Sequence, residues 1–238
     1  MCGRYTLATP APADLRARFQ ISESVEIRRR YNVAPGDEVL AVTTDREGAQ
    51  RGETLRWGLV PSWADGPDMG LKMINARVET AAEKPAFRAA MQRFRCLIIA
   101  DGFYEWRRAP SGPKQAFWIT REDGQPFAFA GLWSIWHPRT EVPGAAAGGK
   151  LRTCTILTTA ANSAIASLHD RMPVILPRGA EDAWLDTAHP ASSLGDLLAG
   201  LDPAQTALQA VGPAVNDARY DGPECLAAPR ESGQGALF

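Results

Sequence analysis

The second residue of the chain, Cys2, offers the most distinctive chemistry in the sequence. An initiator methionine followed by a small residue is normally removed, which would leave Cys2 at the amino terminus. A terminal cysteine is a 1,2-aminothiol with an amine pKa of roughly 7.7–8.0 and a thiol pKa of about 8.5. Both groups can attack one aldehyde carbon, the amine to form an imine and the thiolate to close a five-membered thiazolidine. An internal cysteine cannot do this because its nitrogen is an amide.

Cys2 also leaves two other functions open. Glutamine amidotransferases of the N-terminal-nucleophile class begin Met-Cys-Gly as well, and there the thiol attacks an amide with the terminal amine as its base. Such an enzyme needs a glutamine clamp and an ammonia-accepting domain, for which 238 residues leave little room. The other alternative is a single-strand-binding module that holds DNA without covalent chemistry, in which Cys2 has no chemical role.

Three polar motifs could supply the remaining groups. In NARVET (75–80), strand alternation would place Asn75, Arg77 and Glu79 on one side of an extended segment, as in a polar pocket or on a solvated strand edge. Glu105 lies in the apolar stretch DGFYEW, where a carboxyl tends to keep its proton and suits acid–base chemistry, unless it faces outward. His169, in LHDRMPVIL, is the histidine best placed for proton transfer, although a capped structural histidine is the alternative.

The composition is that of an ordinary soluble globular protein, with 45% hydrophobic and 22% charged residues. No apolar run approaches the ~18 residues of a membrane span, and the first ten residues lack the features of a secretory signal. We therefore expect a cytoplasmic protein without a membrane partner. The net charge of −1 means that any DNA contact must come from a local patch, for which arginine forks are well suited.

The cysteines predict neither a metal site nor a disulfide framework. They form no CxxC pair and have no histidine close by in the sequence. Cys96 and Cys154 lie in apolar runs, so we expect both to be small buried side chains.

The hydrophobic patterns predict a single α+β domain around a mostly antiparallel sheet. Strand patterns occur at 37–44, 51–60, 95–108, 115–120, 126–136 and 151–159. Shorter helical patterns occur near 10–19, 85–94, 161–168, 180–187 and 192–200, with a capping box expected at Thr80 and Glu83. APSGPK predicts a hairpin turn, and 137–150 a mobile loop. The domain is expected to span 1–228, followed by a poorly ordered tail over 229–238.

Taken together, the motifs resemble the SRAP (SOS-response-associated peptidase) family, also described as abasic-site processing proteins. The matching segments occur in the family's order and span nearly the whole chain. They are CGRY (2–5), YNVAPG (31–36), WGLVPSW (57–63), NARVET (75–80), DGFYEW (101–106), HDRMP (169–173) and VNDARYDGPE (215–224). Each motif alone is weak, but seven in order make the resemblance specific.

The resemblance implies a single SRAP domain with a barrel-like, mostly antiparallel β core and short peripheral helices. It implies that Met1 is removed and that Cys2 forms a thiazolidine with the aldehyde of a ring-opened abasic site in single-stranded DNA. Asn75 would hydrogen-bond Cys2 or the sugar. Glu105 would position the sugar and move protons. His169 would assist imine formation and, in the reverse reaction, release of the DNA.

The resemblance also implies where DNA is bound. Arg4 and Arg77 match phosphate contacts beside the lesion, and Thr158 lines the pocket. Pro35 and Trp63 match a wedge that limits the duplex, although this chain has Trp63-Ala64 where some members have two tryptophans. Arg171 is a further expected DNA contact.

The implied biological role is to shield abasic sites during DNA repair and replication in the SOS response. No cofactor or metal is expected, and the protein is expected to act as a monomer, with recruitment by replication-fork proteins left open. Lyase activity through the imine and self-cleavage that removes Met1 are expected as minor companions, and general proteolysis ranks low.

Overall fold

The fold is described from a computed structural model, which covers residues 2–8, 11–45, 47–107, 114–138 and 149–229. The strands in these residues are β1 (Tyr5–Leu7), β2 (Arg30–Val33), β3 (Glu38–Thr44), β4 (Gln50–Trp57), β5 (Asn75–Arg77), β6 (Arg95–Ala100), β7 (Gly102–Arg107), β8 (Gln115–Arg121), β9 (Phe127–Trp136), β10 (Leu151–Ala160), β11 (Arg171–Pro173) and β12 (Thr206–Val211). They confirm a single, mostly antiparallel β domain with short helices.

Five strands close into a barrel. β10, β4, β3, β6 and β9 pair in this order, and β9 pairs again with β10. All of these pairs are antiparallel except β10 with β4. Closure leaves these five strands without an open edge along the ring, which removes a common site of aggregation.

A second, antiparallel sheet has the order β12-β8-β7-β1-β2. Its strand β1 lies between β7 and β2, with Tyr5 opposite both Phe103 and Val33. Because β1 begins three residues after Cys2, the amino-terminal segment is anchored in the interior of a sheet rather than at its edge.

β10 connects the barrel to the region of the predicted site. Its first half completes the barrel, and its second half carries two short strands. Thr158 pairs with Arg77 of β5 and with Pro173 of β11, so these strands lie on opposite edges of β10. β5 contains Asn75, and β11 begins two residues after His169.

Strand alternation divides the side chains of the barrel strands between the two largest hydrophobic clusters of the described residues. One face of the barrel strands contributes side chains such as Val39, Ile98 and Phe129 to an inner cluster that also contains Cys2 and Tyr5. The opposite face packs against the helices. This outer cluster includes Val42, Leu97, Leu132, Leu15, Phe19, Met91 and Trp184.

The α-helices are short: α1 (Pro12–Phe19), α2 (Val78–Ala81), α3 (Arg88–Arg93) and α4 (Glu181–Leu185). The 3-10 helices are Pro67–Lys72, Ala191–Leu198, Pro203–Gln205, Pro213–Asn216 and Pro223–Leu226. Among the described residues, no helix has the length and apolar character needed to cross a bilayer.

Two local predictions are wrong. The helix expected at 161–168 is a series of turns, because its backbone hydrogen bonds close separate turns on the carbonyl oxygens of Asn162 and Ile165 and do not form a continuous helical series. The capping box is also absent, because α2 begins at Val78 as soon as β5 ends and Thr80 therefore lies inside the helix.

The long strand pattern at 95–108 is divided at Asp101. This buried carboxyl accepts hydrogen bonds from the Thr6 hydroxyl (2.5 Å) and the Ala8 amide (2.7 Å), which turns the chain from the barrel into the second sheet. β7 and β8 pair as the predicted hairpin, while its turn over 108–113, most of the loop at 137–150 and the tail from residue 230 lie outside the described residues.

Gly58 directly follows β4 and lies close to another part of the main chain. Its φ is +124°, and a Cβ there would lie 2.7 Å from the carbonyl oxygen of Gly70. We expect Gly58→Ala to lower the free energy of unfolding by about 2–5 kcal/mol, from backbone strain and a clash with main chain. Urea denaturation measures this loss.

Gly48→Ala is the matched control. Gly48 has a φ of +85° but open space around it, so only the backbone cost of about 1–2 kcal/mol should remain. Equal losses for the two variants would contradict the close approach at Gly70.

Candidate active site

Cys2 is fully buried at the margin of the inner cluster. Its thiol points to the carbonyl oxygen of Arg4, with Sγ 3.7 Å from that oxygen. Its own carbonyl oxygen accepts a hydrogen bond of 2.7 Å from Nδ2 of Asn75. The Cys2 backbone is therefore held directly by a side chain distant in sequence. Met1 lies outside the described residues.

Asn75 reaches Cys2 because β5 pairs in parallel with β10, with Asn75 opposite Ile156. Asn75 Oδ1 is buried and accepts no hydrogen bond from the part of the chain that the structure describes. A buried acceptor without a donor costs about 1–3 kcal/mol. Such an acceptor favours a ligand or substrate group that can donate to it.

The prediction that 75–80 is extended holds only for its first half. β5 ends at Arg77, and Glu79 lies in α2. Asn75 and Arg77 remain two residues apart on one strand. Arg77 is exposed and Asn75 half-buried, so the strand leads from the interior to the surface.

Glu105 is buried on β7 with only 4% exposure. Both Glu105 and the adjacent Tyr104 are buried, which excludes the outward-facing alternative. Burial raises the pKa of Glu105, and the nearby His169 partly opposes this shift. The expectation that this carboxyl holds its proton longer than usual is met for the reason proposed, because desolvation disfavours the charged form.

The Cys2 thiol responds to the same environment. Burial raises its pKa well above the ordinary value, and the negative charge of Glu105 raises it further. Glu105 is therefore the group that links Cys2 to His169 electrostatically. The resting thiol is protonated at neutral pH.

His169 lies in the turn before β11, with its side chain 31% exposed. Its Nδ1 is 2.9 Å from the backbone nitrogen of Arg171, which donates to it. Oδ1 of Asp170 is 2.8 Å from the same atom, but Asp170 is 80% exposed and water competes for it. The Arg171 amide is thus the better-defined partner.

The Arg4 side chain is held by a residue that the sequence patterns did not single out. Arg4 Nη1 donates to Oδ1 of Asn32 (3.0 Å) and to the carbonyl oxygen of Val215 (2.9 Å). Asn32 is 1% exposed, and its Nδ2 donates to the carbonyl oxygens of Asp217 and Tyr220. The late motif is therefore bound to β2. A polar residue amid YNVA was the signal available in the sequence.

The other residues predicted to contact DNA differ in how far their side chains are exposed. Thr158 is fully buried and its hydroxyl lies 3.4 Å from the Ala76 carbonyl oxygen, so it supports β5. Pro35 is half-buried. Trp63 is 55% exposed, as a stacking residue requires. Arg171 points to Glu79 rather than outward.

All four cysteines are free and buried, as expected for Cys96 and Cys154. The described residues contain no group of three or more His, Cys, Asp or Glu side chains that could hold a metal ion. The functional groups gathered at Cys2 are an amide, a carboxyl, a thiol and, close to the carboxyl, an imidazole.

Comparisons with known proteins identify relatives along the whole chain. A family model described as SOS response associated peptidase (SRAP) matches residues 1–218. Abasic site processing protein YoaM of Bacillus subtilis is 40% identical over 232 residues, which cover 96% of this chain and 98% of YoaM. YedK of Escherichia coli, of the same description, is 33% identical over 95% of this chain and 99% of its own. HMCES of Xenopus tropicalis is 30% identical over 96% of this chain and 78% of its own length.

Solved structures support the same fold. A protein from Bacteroides thetaiotaomicron superposes with a TM-score of 0.82 at 22% identity, covering 95% of this chain and 99% of its own. A protein from Bordetella bronchiseptica superposes with a TM-score of 0.72 at 29% identity, and the match covers 89% of this chain and 100% of that protein. The first likeness, at this identity, concerns the fold alone.

The raised pKa of Glu105 makes the stability of the protein depend on pH. Between the ordinary carboxyl pKa of about 4.3 and the higher folded value, the native state binds a proton that the unfolded chain has lost. Stability therefore falls as pH rises through this range. We expect Glu105→Gln to be more stable than the wild type at about pH 8, and the difference to vanish below about pH 4. Urea denaturation across pH measures this.

Glu122→Gln, at an exposed position, is the control and should stay within about 0.5 kcal/mol of the wild type. If Glu105→Gln were less stable than the wild type at high pH, the surroundings of Glu105 would stabilise the ionised carboxylate, and the prediction would be wrong.

Proposed function

The chain belongs to the SRAP family, and from this premise we propose that it processes abasic sites in single-stranded DNA by capturing them covalently through Cys2. Its relatives are named abasic site processing proteins. The observation that carries the proposal is the burial of the Cys2 thiol beside Glu105, with Asn75 bound to the Cys2 carbonyl.

The proposed reaction begins once removal of Met1 frees the α-amine of Cys2. The amine nitrogen adds to C1′ of the ring-opened deoxyribose, the aldehyde oxygen leaves as water, and a C=N bond forms. Sγ of Cys2 then adds to the imine carbon, and its proton ends on the ring nitrogen. The product is a neutral thiazolidine, with one water released for each cross-link, and the reaction needs no oxidant or reductant.

Glu105 and His169 are the proposed proton carriers. Because the buried Cys2 thiol is protonated at neutral pH, a base must take its proton as sulfur attacks. The charge of Glu105 acts on the thiol, and a carboxyl whose pKa is raised by burial is a better base than an ordinary carboxylate. His169, close enough to influence Glu105, would exchange that proton with the sugar oxygen or with water.

Asn75 and the arginines are proposed to hold the substrate. The buried Oδ1 of Asn75 could accept a hydrogen bond from the freed amine of Cys2 or from a sugar hydroxyl. Arg4, bound on one side by Asn32, and the exposed Arg77 are the proposed phosphate contacts. Trp63, with Pro35, would provide the stacking wedge.

The raised pKa of the Cys2 thiol also bears on the other activities that Cys2, Glu105 and His169 could support. A cysteine peptidase relies on a thiolate, whereas the Cys2 thiol has a raised pKa, which disfavours general proteolysis. β-Elimination through the imine would give a minor lyase activity, and self-cleavage could remove Met1. A role in the SOS response, cytoplasmic location and action as a monomer belong to the same proposal.

The first functional prediction concerns covalent capture. With a single-stranded oligonucleotide carrying one abasic site, the wild type should give a band that survives denaturing electrophoresis, and an intact strand should give none. Cys2→Ser keeps the amine but lacks the thiol, so it should be trapped only when borohydride reduces the imine. Inserting one alanine between Met1 and Cys2 makes the cysteine internal and should abolish the thiazolidine.

The mass of the mature amino terminus is measured on the same samples. If Met1 is absent and the wild type gives no band, the thiazolidine mechanism is wrong. DNA that binds but is released on denaturation would favour a non-covalent module, and turnover of labelled glutamine would favour the amidohydrolase.

A second prediction concerns the rate of capture. Under single-turnover conditions, Glu105→Gln and His169→Ala should each slow cross-linking by about 100-fold, the usual size of a general acid–base contribution. The exposed positions Glu122→Gln and His189→Ala provide matched controls. Rates within twofold of the wild type would remove both residues from the chemical step.

A further inference from the structure

An ion pair crosses the second half of β10, next to the site. Arg171 on β11 donates from Nη1 to Oε1 of Glu79 (2.6 Å) and from Nη2 to Oε2 (2.8 Å). The same Nη2 also donates to the carbonyl oxygen of Thr158 (2.5 Å). Since Thr158 pairs with both β5 and β11, the pair spans β10 and connects the helix after Asn75 to the strand after His169.

The guanidinium of Arg171 is directed into the protein. The Arg171 side chain is 11% exposed, whereas Glu79 is 50% exposed. Its Nε is buried and donates to no other described residue. Bidentate pairs of this kind fix direction as well as distance, and a lysine cannot reproduce them. The geometry is that of a structural clamp.

The clamp acts on His169 through the backbone. The amide of Arg171, whose side chain is held by Glu79, donates to Nδ1 of His169 over 2.9 Å. An Nδ1 that accepts a hydrogen bond leaves the proton of a neutral imidazole on Nε2. Asp170 would favour the opposite tautomer, since its carboxylate can only accept a hydrogen bond from an Nδ1–H group. The two neighbours of His169 therefore compete for its protonation pattern.

We propose that Glu79, acting through Arg171, is a positioning residue that keeps Nδ1 of His169 as an acceptor and its Nε2 as the nitrogen that carries the proton. The inference rests on the proposed acid–base role of His169. It assigns Glu79, which no step of the reaction uses directly, to the machinery of the site. It also gives Arg171 a role in the support of His169.

The test uses full-length protein and two independent measurements. In 15N-histidine-labelled protein without DNA, long-range 1H–15N spectra report which nitrogen of His169 carries the proton. The wild type should show the Nε2–H form, and Glu79→Gln should show a mixture with Nδ1–H. With saturating abasic-site DNA, Glu79→Gln should slow cross-linking by about tenfold, the lower end of effects seen when the outer partner of a functional histidine is lost.

Glu83→Gln is the matched control, since Glu83 is exposed and lies four residues further along the chain. It should match the wild type in both measurements. Arg171→Lys should behave like Glu79→Gln and provides a second variant if the first folds poorly. Asp170→Asn should leave the Nε2–H form dominant.

Two results would overturn the proposal. One is a wild-type tautomer and rate in Glu79→Gln. The other is weaker binding of an intact single strand by Arg171→Lys together with tighter binding by Glu79→Gln, which would make Arg171 a phosphate contact that Glu79 blocks. Because the tautomer is read without DNA, absence of a cross-link in the wild type would refute the proposed function and still leave the positioning of His169 testable.

Discussion

The structure depends on burying the second residue of the chain beside a carboxyl. An exposed Cys2 would have an ordinary thiol. The buried Cys2 lies near Glu105, away from water, and the pKa of each group is raised. In both groups desolvation disfavours the charged form. Desolvation therefore links the proposed nucleophile to its base, and the rest of the fold serves to keep this space closed.

Closing it requires the amino terminus to be held, because chain ends are ordinarily mobile. β1 lies inside a sheet between β7 and β2. The late segment near Val215 adds a second attachment through Asn32 and Arg4. A segment near the end of the chain thus contacts Arg4, two residues after Cys2.

β10 serves the barrel and the site with one continuous strand. Its first half closes the barrel, so its second half is rigidly placed where β5 and β11 attach. Asn75 and His169 come from these two strands or the turn beside them. A site built on strands of a closed barrel holds its geometry better than one on loops, and the Glu79–Arg171 pair reinforces it across β10.

The sequence by itself determined most of the strands, because alternating apolar residues need no knowledge of partners. It also singled out Cys2, Asn75, Glu105 and His169 as candidate site residues, since their types limit their chemistry. The short strands β1, β2 and β12 escaped prediction, because each depends on a neighbour distant in the chain. The direction of Arg171 was decided by tertiary structure alone: an arginine binds whichever anion the fold brings near, and here the fold brings Glu79.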